Sequence, residues 1–288
     1  MFPQVLRAGE WFLQSGIQNS DGGVARYYRL DLGRNQAVST EITGYTASAL
    51  AFLASLTTAS EPERSRYSAA ARSAARFLCN SWDRRSGAMP FEVDPPQLTY
   101  FFDCGIIVRG LLAVWRATGE QEFLDCARQV GHSMAHDFRD DNGGFHPILT
   151  LPDKRPLERN ALRWSRSKGC YQLKAAMAWW DLWEATGDPC YRELFLVERK
   201  ESLRTRVRLS ARTCRAAEGC GSAARLPLLS GSPVADAIGG ARGRDRTGRR
   251  AGTRVRSGVR AVRRVCATAP RADVRGRRGY RAVGSRRG

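Results

Sequence analysis

The stretch Thr40-Glu41-Ile42-Thr43-Gly44-Tyr45, continued to Leu56 as TASALAFLASL, decides the fold. From Tyr45 onward, apolar side chains recur at the helical interval, at Tyr45, Ala49, Phe52, Leu53 and Leu56. Residues with this spacing share one face of an α-helix, so the stretch predicts an amphipathic helix. The same spacing recurs in the segments that begin at Tyr67, Ile107, Phe123 and Leu173.

Two signatures repeat around these segments. The first is a polar turn with glycine before an apolar residue, in residues 19–24, 83–89 and 140–145. The second is a small residue that opens an apolar helix, at Gly44, Gly105 and Gly169, which lie 61 and 64 residues apart. Two of the helices end in Ala-Thr-Gly, at Gly119 and Gly187, where glycine adopts a left-handed conformation at little cost. The chain therefore predicts about three helical hairpins with a period of about 60 residues.

These hairpins predict an all-α fold of helical-hairpin repeats. Each unit buries its apolar face only against its neighbours, and an open solenoid or an α/α toroid achieves this. The period exceeds that of common helical solenoids, and the additional residues fall in one class of loop. Loops of one class cluster on one rim, which favours an incomplete α/α toroid of about three hairpins.

The sequence resembles the six-hairpin glycosidase-like (α/α)6-toroid superfamily over roughly residues 5–195. The resemblance rests on 18–25 (QNSDGGVA), 40–45 (TEITGY) and 185–188 (ATGD). It is strongest to uncharacterised bacterial toroids associated with polysaccharide biosynthesis, which carry a "DGGV … ETTGY" pattern, with Ile42 the departure. This superfamily includes glycoside hydrolases, polysaccharide lyases and sugar epimerases. A complete toroid needs about twice the helical sequence found in this chain, so the resemblance implies a truncated copy.

The charge of the chain is concentrated after residue 200. The chain has 47 Lys+Arg, 28 Asp+Glu and a net charge of +19, but residues 201–288 contain 23 Arg, no Lys and five acidic residues. All Trp and Phe residues precede residue 200. We therefore predict two parts: a partial toroid over residues 1–196, and a disordered, low-complexity basic tail over 197–288. The favoured origin of the tail is out-of-frame translation of a GC-rich gene, and a genuine basic tail is the alternative.

Carbohydrate chemistry in a toroid is expected where the inner helices begin. Glu41 and Asp103 stand in two such first turns and are candidates for a catalytic acid and base, because two carboxyl groups can divide these roles by environment. Acids in a first helical turn also stabilise the helix dipole, which is the structural alternative. Tyr45, Phe102 and Lys168 are the candidate substrate-binding residues at the starts of these helices.

Two loops supply the remaining candidates. His146 follows a glycine turn and is a candidate acid or base, unless it is an ordinary surface histidine. The segment 151–167 is the longest non-periodic stretch before residue 196, and its Arg163 and Trp164 suit an anionic sugar through ion pairing and ring stacking. No zinc-type cysteine cluster or phosphate-binding glycine loop is present, so neither a metal nor a cofactor is expected.

The favoured function is that of a carbohydrate-active or polysaccharide-related toroid protein with a saccharide ligand, hydrolase-, lyase- or epimerase-like if active. The alternatives are a non-catalytic helical-repeat module and, least favoured, nucleic-acid binding through the basic tail, which is expected to be non-specific. No apolar run is long enough to span a membrane, and no secretory leader is recognisable. These two observations predict a cytoplasmic location; the oligomeric state is left open.

Overall fold

The computed structural model describes residues 3–218 except 57, 159, 161 and 162. Its helices are α1 (Pro3–Gln14), α2 (Thr40–Ser55), α3 (Glu61–Asn80), α4 (Phe101–Thr118), α5 (Gln121–His136), α6 (Gln172–Thr186) and α7 (Pro189–Glu218). Its strands are β1 (Tyr28–Arg29), β2 (Arg34–Asn35), β3 (Leu98–Tyr100) and β4 (Ile148–Thr150). The two antiparallel pairs, β1 with β2 and β3 with β4, lie in the loops. The predicted all-α architecture is confirmed.

The helices form three successive hairpins, α2–α3, α4–α5 and α6–α7. Within them, α2, α4 and α6 pack side by side as an inner row, and α3 and α5 pack outside it. Each hairpin returns the chain to the end at which it started, so the three inner helices run parallel. Their first turns therefore lie at one end of the molecule.

Local capping residues define the helix ends. Ser60 and Glu63 form a capping box at the start of α3, in which each side chain satisfies a backbone N–H of the other residue. Gly119 and Gly187 end α4 and α6 with φ angles of 73° and 72°, as the Ala-Thr-Gly signature predicts. The third inner helix begins at Gln172, so the prediction that Gly169 opens it is wrong.

The inner helices approach one another more closely than side chains normally allow. A Cβ atom at Gly105 would lie 2.5 Å from Cα of Ala175 on α6, and one at Gly110 would lie 2.4 Å from the carbonyl oxygen of Gly44 on α2. Glycine is required at both positions because the neighbouring atoms are backbone. The small residues of the repeat thus join the inner helices directly.

An aromatic cluster joins the second hairpin to the third. Phe101, Phe138, Phe145 and Trp179 are fully buried. Phe101 and Phe145 stack with their ring centroids 5.1 Å apart, and Trp179 meets Phe101 edge-on at 5.5 Å. The indole N–H of Trp179 donates to the carbonyl oxygen of Gly131 at 3.0 Å, so the buried ring leaves no unsatisfied donor.

Helix α7 continues beyond the predicted end of the domain at residue 196. Residues 197–218 are helical, contrary to the predicted disorder, because their Arg, Glu, Ala and Leu content suits a helix and no Gly or Pro interrupts them. The buried stripe of α7 changes character along its length: Tyr191 and Leu194 are followed at the helical interval by Glu198 and Ser202, each 3% exposed. Residues 219–288 of the predicted tail lie outside the described residues.

No described helix combines the length and apolarity that crossing a membrane requires.

We predict that Gly105→Ala lowers the free energy of unfolding by about 1–3 kcal/mol, because the new methyl group overlaps the backbone of α6. Gly131→Ala is the matched control on α5. Its added methyl group meets the end of the Leu182 side chain and no backbone atom of another helix, and alanine favours the helix. Equal losses in the two variants, measured by urea denaturation, would contradict the close-packing argument.

We predict that the buried Glu198 side chain makes the free energy of unfolding depend on pH. Burial raises the pKa of Glu198 from 4.5 to about 7. The folded protein is therefore stabilised by the protonated form of Glu198. Its free energy of unfolding should fall by about 3 kcal/mol as the pH rises from 4.5 to about 7 and beyond. Glu198→Gln should remove this loss, and Glu198→Leu should be more stable than the wild type at pH 8. Parallel stability–pH curves for wild type and Glu198→Gln would refute the assignment.

Candidate functional site

Five side chains meet where the inner helices begin, and we call them the mouth cluster. Glu41 is the second residue of α2, Asp103 the third of α4 and Lys174 the third of α6. Tyr45 and Phe102 are the aromatic members. Each inner helix thus contributes at least one residue, which the parallel arrangement of the row brings to the same end.

Asp103 is the most deeply buried acid of the cluster. It is 6% exposed, and no described residue forms a hydrogen bond with its Oδ2 atom. Burial and, second, the nearby Glu41 carboxylate raise the pKa of Asp103 well above its ordinary value. Both effects disfavour the charged form. The Asp103 carboxyl is therefore protonated more readily than a surface aspartate and can serve as a proton donor.

Glu41 occupies a different environment only one helix away. It is half-buried, and burial raises its pKa, whereas Lys174 and Arg26 oppose the rise. Both Lys174 and Arg26 favour the charged form of Glu41, whereas only Arg26 does so for Asp103. The two carboxyl groups therefore lie in different electrostatic environments, the arrangement in which neighbouring carboxyl groups can take different roles.

Lys174 connects the cluster across the row. Its Nζ atom donates to the Tyr45 hydroxyl at 2.9 Å and lies 4.9 Å from the Tyr45 ring centroid and 5.5 Å from that of Phe102. A cation at these distances is attracted to the ring faces. The α6 ammonium group is thus held against aromatic side chains of α2 and α4.

Arg26 forms the adjoining wall. Its guanidinium pairs with Glu92 and lies 4.5 Å from the ring centroid of Phe91, which in turn contacts Tyr100 at 5.0 Å. Burial, followed by Asp103, raises the pKa of Tyr100, so this ring is also close to the buried acid. The end of the inner row therefore combines acids, cations and aromatic rings.

Solved structures share this arrangement of helices. A sugar epimerase from a ruminal bacterium matches with a TM-score of 0.55 and 16% identity, over 68% of this chain and 53% of that one. A cellobiose 2-epimerase from Spirochaeta thermophila DSM 6192 gives 0.52 and 19%, over 68% and 54%. A D-mannose isomerase gives 0.51 and 17%, over 66% and 53%.

The described chain has the fold of part of an α/α toroid. At these identities the likeness concerns the fold, and the chain spans about half the length of these solved structures. No protein-family model and no curated protein sequence matches the chain. The mouth cluster lies at the end of the toroid's inner ring where the inner helices begin.

The toroid brings four of the sequence-predicted site residues together, namely Glu41, Tyr45, Phe102 and Asp103. Lys168 lies in the loop before α6, where it pairs with Asp140 and faces Glu198. Its pKa is lowered by burial, which Glu198 and Glu201 oppose only in part. Lys168 is therefore engaged in joining the loop to the turn after α5 and to α7.

The loop candidates occupy separate positions. His146 lies in the turn before β4, its backbone N–H donates to Phe138 O at 2.6 Å, and burial lowers its pKa. No hydrogen bond between the His146 ring and Glu41 or Asp103 occurs in the described part of the chain. Arg163 is exposed. Trp164 begins a short 3-10 helix, Trp164–Arg166, and its side chain lies outside the described part.

Sequence reasoning missed Lys174 and Arg26. The glycine spacing aligned Gly169 with Gly44 and Gly105. In the structure, however, Gly105 packs against Ala175, so Ala175 is the residue of α6 at the level of Gly105. Counting from Ala175 instead would have placed Lys174 in the first turn. Among the described residues, no group of three or more His, Cys, Asp or Glu side chains is arranged to hold a metal ion.

We predict that Glu41→Gln lowers the pKa of Asp103, because it removes the like charge that opposes ionisation. Carbon NMR of the labelled aspartate carboxyl groups, recorded across a pH titration, measures this change. Glu193→Gln is the control, since Glu193 is an exposed acid on α7. An unchanged Asp103 titration in Glu41→Gln would show that the two carboxyl groups do not interact.

Proposed function

We propose that the mouth cluster binds a saccharide and performs acid–base chemistry on it, with Asp103 as the acid and Glu41 as the base. The observation that carries this proposal is the buried Asp103 carboxyl beside a second carboxyl group, with an Oδ2 atom that has no partner in the described part of the chain. A buried polar atom without a partner costs free energy and contributes nothing to packing. Its presence is explained when a ligand supplies the missing hydrogen bond.

The surroundings of the two acids suit a sugar. Tyr45 and Phe102 present aromatic rings for the apolar faces of a pyranose, and Glu41, Asp103 and Lys174 supply groups for its hydroxyls. The proteins of similar fold include epimerases of sugars and a mannose isomerase. Such reactions move a proton at the carbon beside a carbonyl group, which requires one base and one acid.

In the proposed mechanism the Asp103 carboxyl donates a hydrogen bond to the carbonyl oxygen of the open-chain sugar. Glu41 takes the proton from the adjacent carbon, and the electron pair moves onto the oxygen, which receives the Asp103 proton. Glu41 then returns its proton to carbon and Asp103 takes back a proton from the enediol oxygen, which re-forms the carbonyl group and restores both residues. Protonation of carbon 2 on its opposite face with loss of the oxygen 1 proton gives the epimer, and protonation of carbon 1 with loss of the oxygen 2 proton gives the ketose. Cleavage of a glycosidic bond would use the same two carboxyl groups, with the acid protonating the glycosidic oxygen in place of the carbonyl oxygen. The products distinguish the two reactions.

Two further statements belong to the proposal. The chain acts in the cytoplasm, which cell fractionation tests, and nucleic acid is attracted only non-specifically by the Arg-rich segment. A non-catalytic helical-repeat module is the alternative, and it predicts saccharide binding without turnover. Because the chain spans about half of the similar structures, we also propose that it is a truncated copy of a larger toroid.

We further propose that the sequence beyond about residue 196 derives from out-of-frame translation. The buried stripe of α7 supports this, since Glu198 and Ser202 occupy positions where Tyr191 and Leu194 establish an apolar pattern. Reading the nucleotide sequence in the other two frames tests the idea. A frame that restores apolar residues at this interval supports it, and the absence of such a frame overturns it.

We predict that the protein catalyses uptake of solvent deuterium at carbon 2 of a reducing sugar, and that Glu41→Gln and Asp103→Asn each slow it by about 10²–10⁴-fold. Proton NMR in D2O measures the exchange over a panel of aldoses, and a reducing-sugar assay detects glycoside cleavage. Asp125→Asn, at an exposed acid of α5, is the control. A folded protein that neither exchanges nor cleaves any panel member would refute catalysis.

A further inference from the structure

The charges of the mouth cluster are arranged unevenly over the inner helices. The first turns of α2 and α4 contain the acids Glu41 and Asp103, as is common because acids complement the positive end of a helix. The first turn of α6 contains no acid and has Lys174 instead. A cation at the positive end of a helix is unfavourable, so its presence there calls for an explanation outside the helix.

Lys174 has no carboxylate partner of its own. Within the described residues, no Asp or Glu oxygen lies within 4 Å of its Nζ atom, whereas the neighbouring cations Arg26 and Lys168 pair with Glu92 and Asp140. Glu41 feels the charge of Lys174, but burial outweighs it and the net pKa of Glu41 is raised. Lys174 is therefore not the close counter-ion of Glu41.

The contacts of Lys174 nevertheless hold it in place. Its ammonium group donates to the Tyr45 hydroxyl at 2.9 Å and lies above the rings of Tyr45 and Phe102. The side chain is exposed, so its remaining N–H donors face solvent. A positioned ammonium group and a neighbouring hydroxyl together form a complementary surface for one anionic group.

We propose that Lys174 and the Tyr45 hydroxyl form a subsite for the anionic substituent of a sugar, so that the saccharide taken by this site is acidic. The inference rests on the proposed function, because it places the sugar at the mouth cluster. Its chemical class is a sugar that carries a carboxylate or a phosphate group. Lys174 is thereby a specificity-determining residue, and Glu41 and Asp103 remain the reacting groups.

The test is equilibrium binding of D-glucuronate, D-glucose 6-phosphate and D-glucose to the full chain by isothermal titration calorimetry. We expect at least one anionic sugar to bind about tenfold or more tightly than glucose, with an advantage that decreases as salt screens the charge. The carboxylate and phosphate arms identify which substituent the subsite takes. Glucose binding as tightly as both anions would overturn the inference and leave the proposed function standing.

Variants assign the effect to Lys174. Lys174→Gln should reduce the ratio of anion to glucose affinity to about one, whereas Lys174→Arg should retain most of it. Lys200→Gln, at an exposed lysine on α7, removes the same charge and should leave the ratio unchanged. An undiminished ratio in Lys174→Gln overturns the inference. Failure of all three sugars to bind would overturn both proposals, and Lys174-dependent binding without deuterium exchange would overturn only catalysis.

Discussion

The backbone contact between neighbouring inner helices is the constraint on which the rest of the structure depends. Gly105 meets Ala175 and Gly110 meets Gly44 at distances that exclude any side chain between the helices. Helices in such contact bring their first turns equally close together. Asp103 is consequently buried and lies near enough to Glu41 for the two carboxyl groups to influence each other. The packing of small residues thus produces the electrostatics of the mouth cluster.

Two buried acids of this chain show why a raised pKa alone does not identify a functional group. Burial raises the pKa of both Asp103 and Glu198. Glu198 lies in the buried stripe of an outer helix, where the Ser202 hydroxyl donates to it and the pattern before it is apolar. Asp103 instead has an oxygen to which no described residue bonds, adjoins a second acid and lies where three helices begin. Its location and its unsatisfied hydrogen-bonding capacity therefore distinguish Asp103, a candidate functional group, from Glu198, which interrupts an apolar stripe.

The sequence was sufficient to predict whatever depends on local spacing. Helical periodicity and the glycine caps located the hairpins, and first-turn positions identified Glu41, Tyr45, Phe102 and Asp103. Lys174 was missed because the loop before α6 contains more residues than its counterparts. Aligning Gly169 with Gly44 and Gly105, each the fifth residue of its helix, set the third helix seven residues early. Arg26 was missed because its partners Phe91 and Glu92 come from a distant loop. Pairings between loops depend on tertiary packing, which periodicity does not encode.

The division of charge among the inner helices also constrains how a sugar is oriented. The proposed reacting acids belong to α2 and α4, whereas Lys174, which has no carboxylate partner among the described residues, belongs to α6. A hexuronic acid or a hexose 6-phosphate carries its anionic group at carbon 6, at the opposite end of the molecule from carbons 1 and 2. If the proposed subsite is correct, carbon 6 is anchored at Lys174 and the carbonyl end of the sugar is left free to reach Glu41 and Asp103. In the proposed binding mode Lys174 would offset the charge of an anionic group bound beside Glu41, so the cation that attracts an acidic sugar also reduces its repulsion from the carboxylate base.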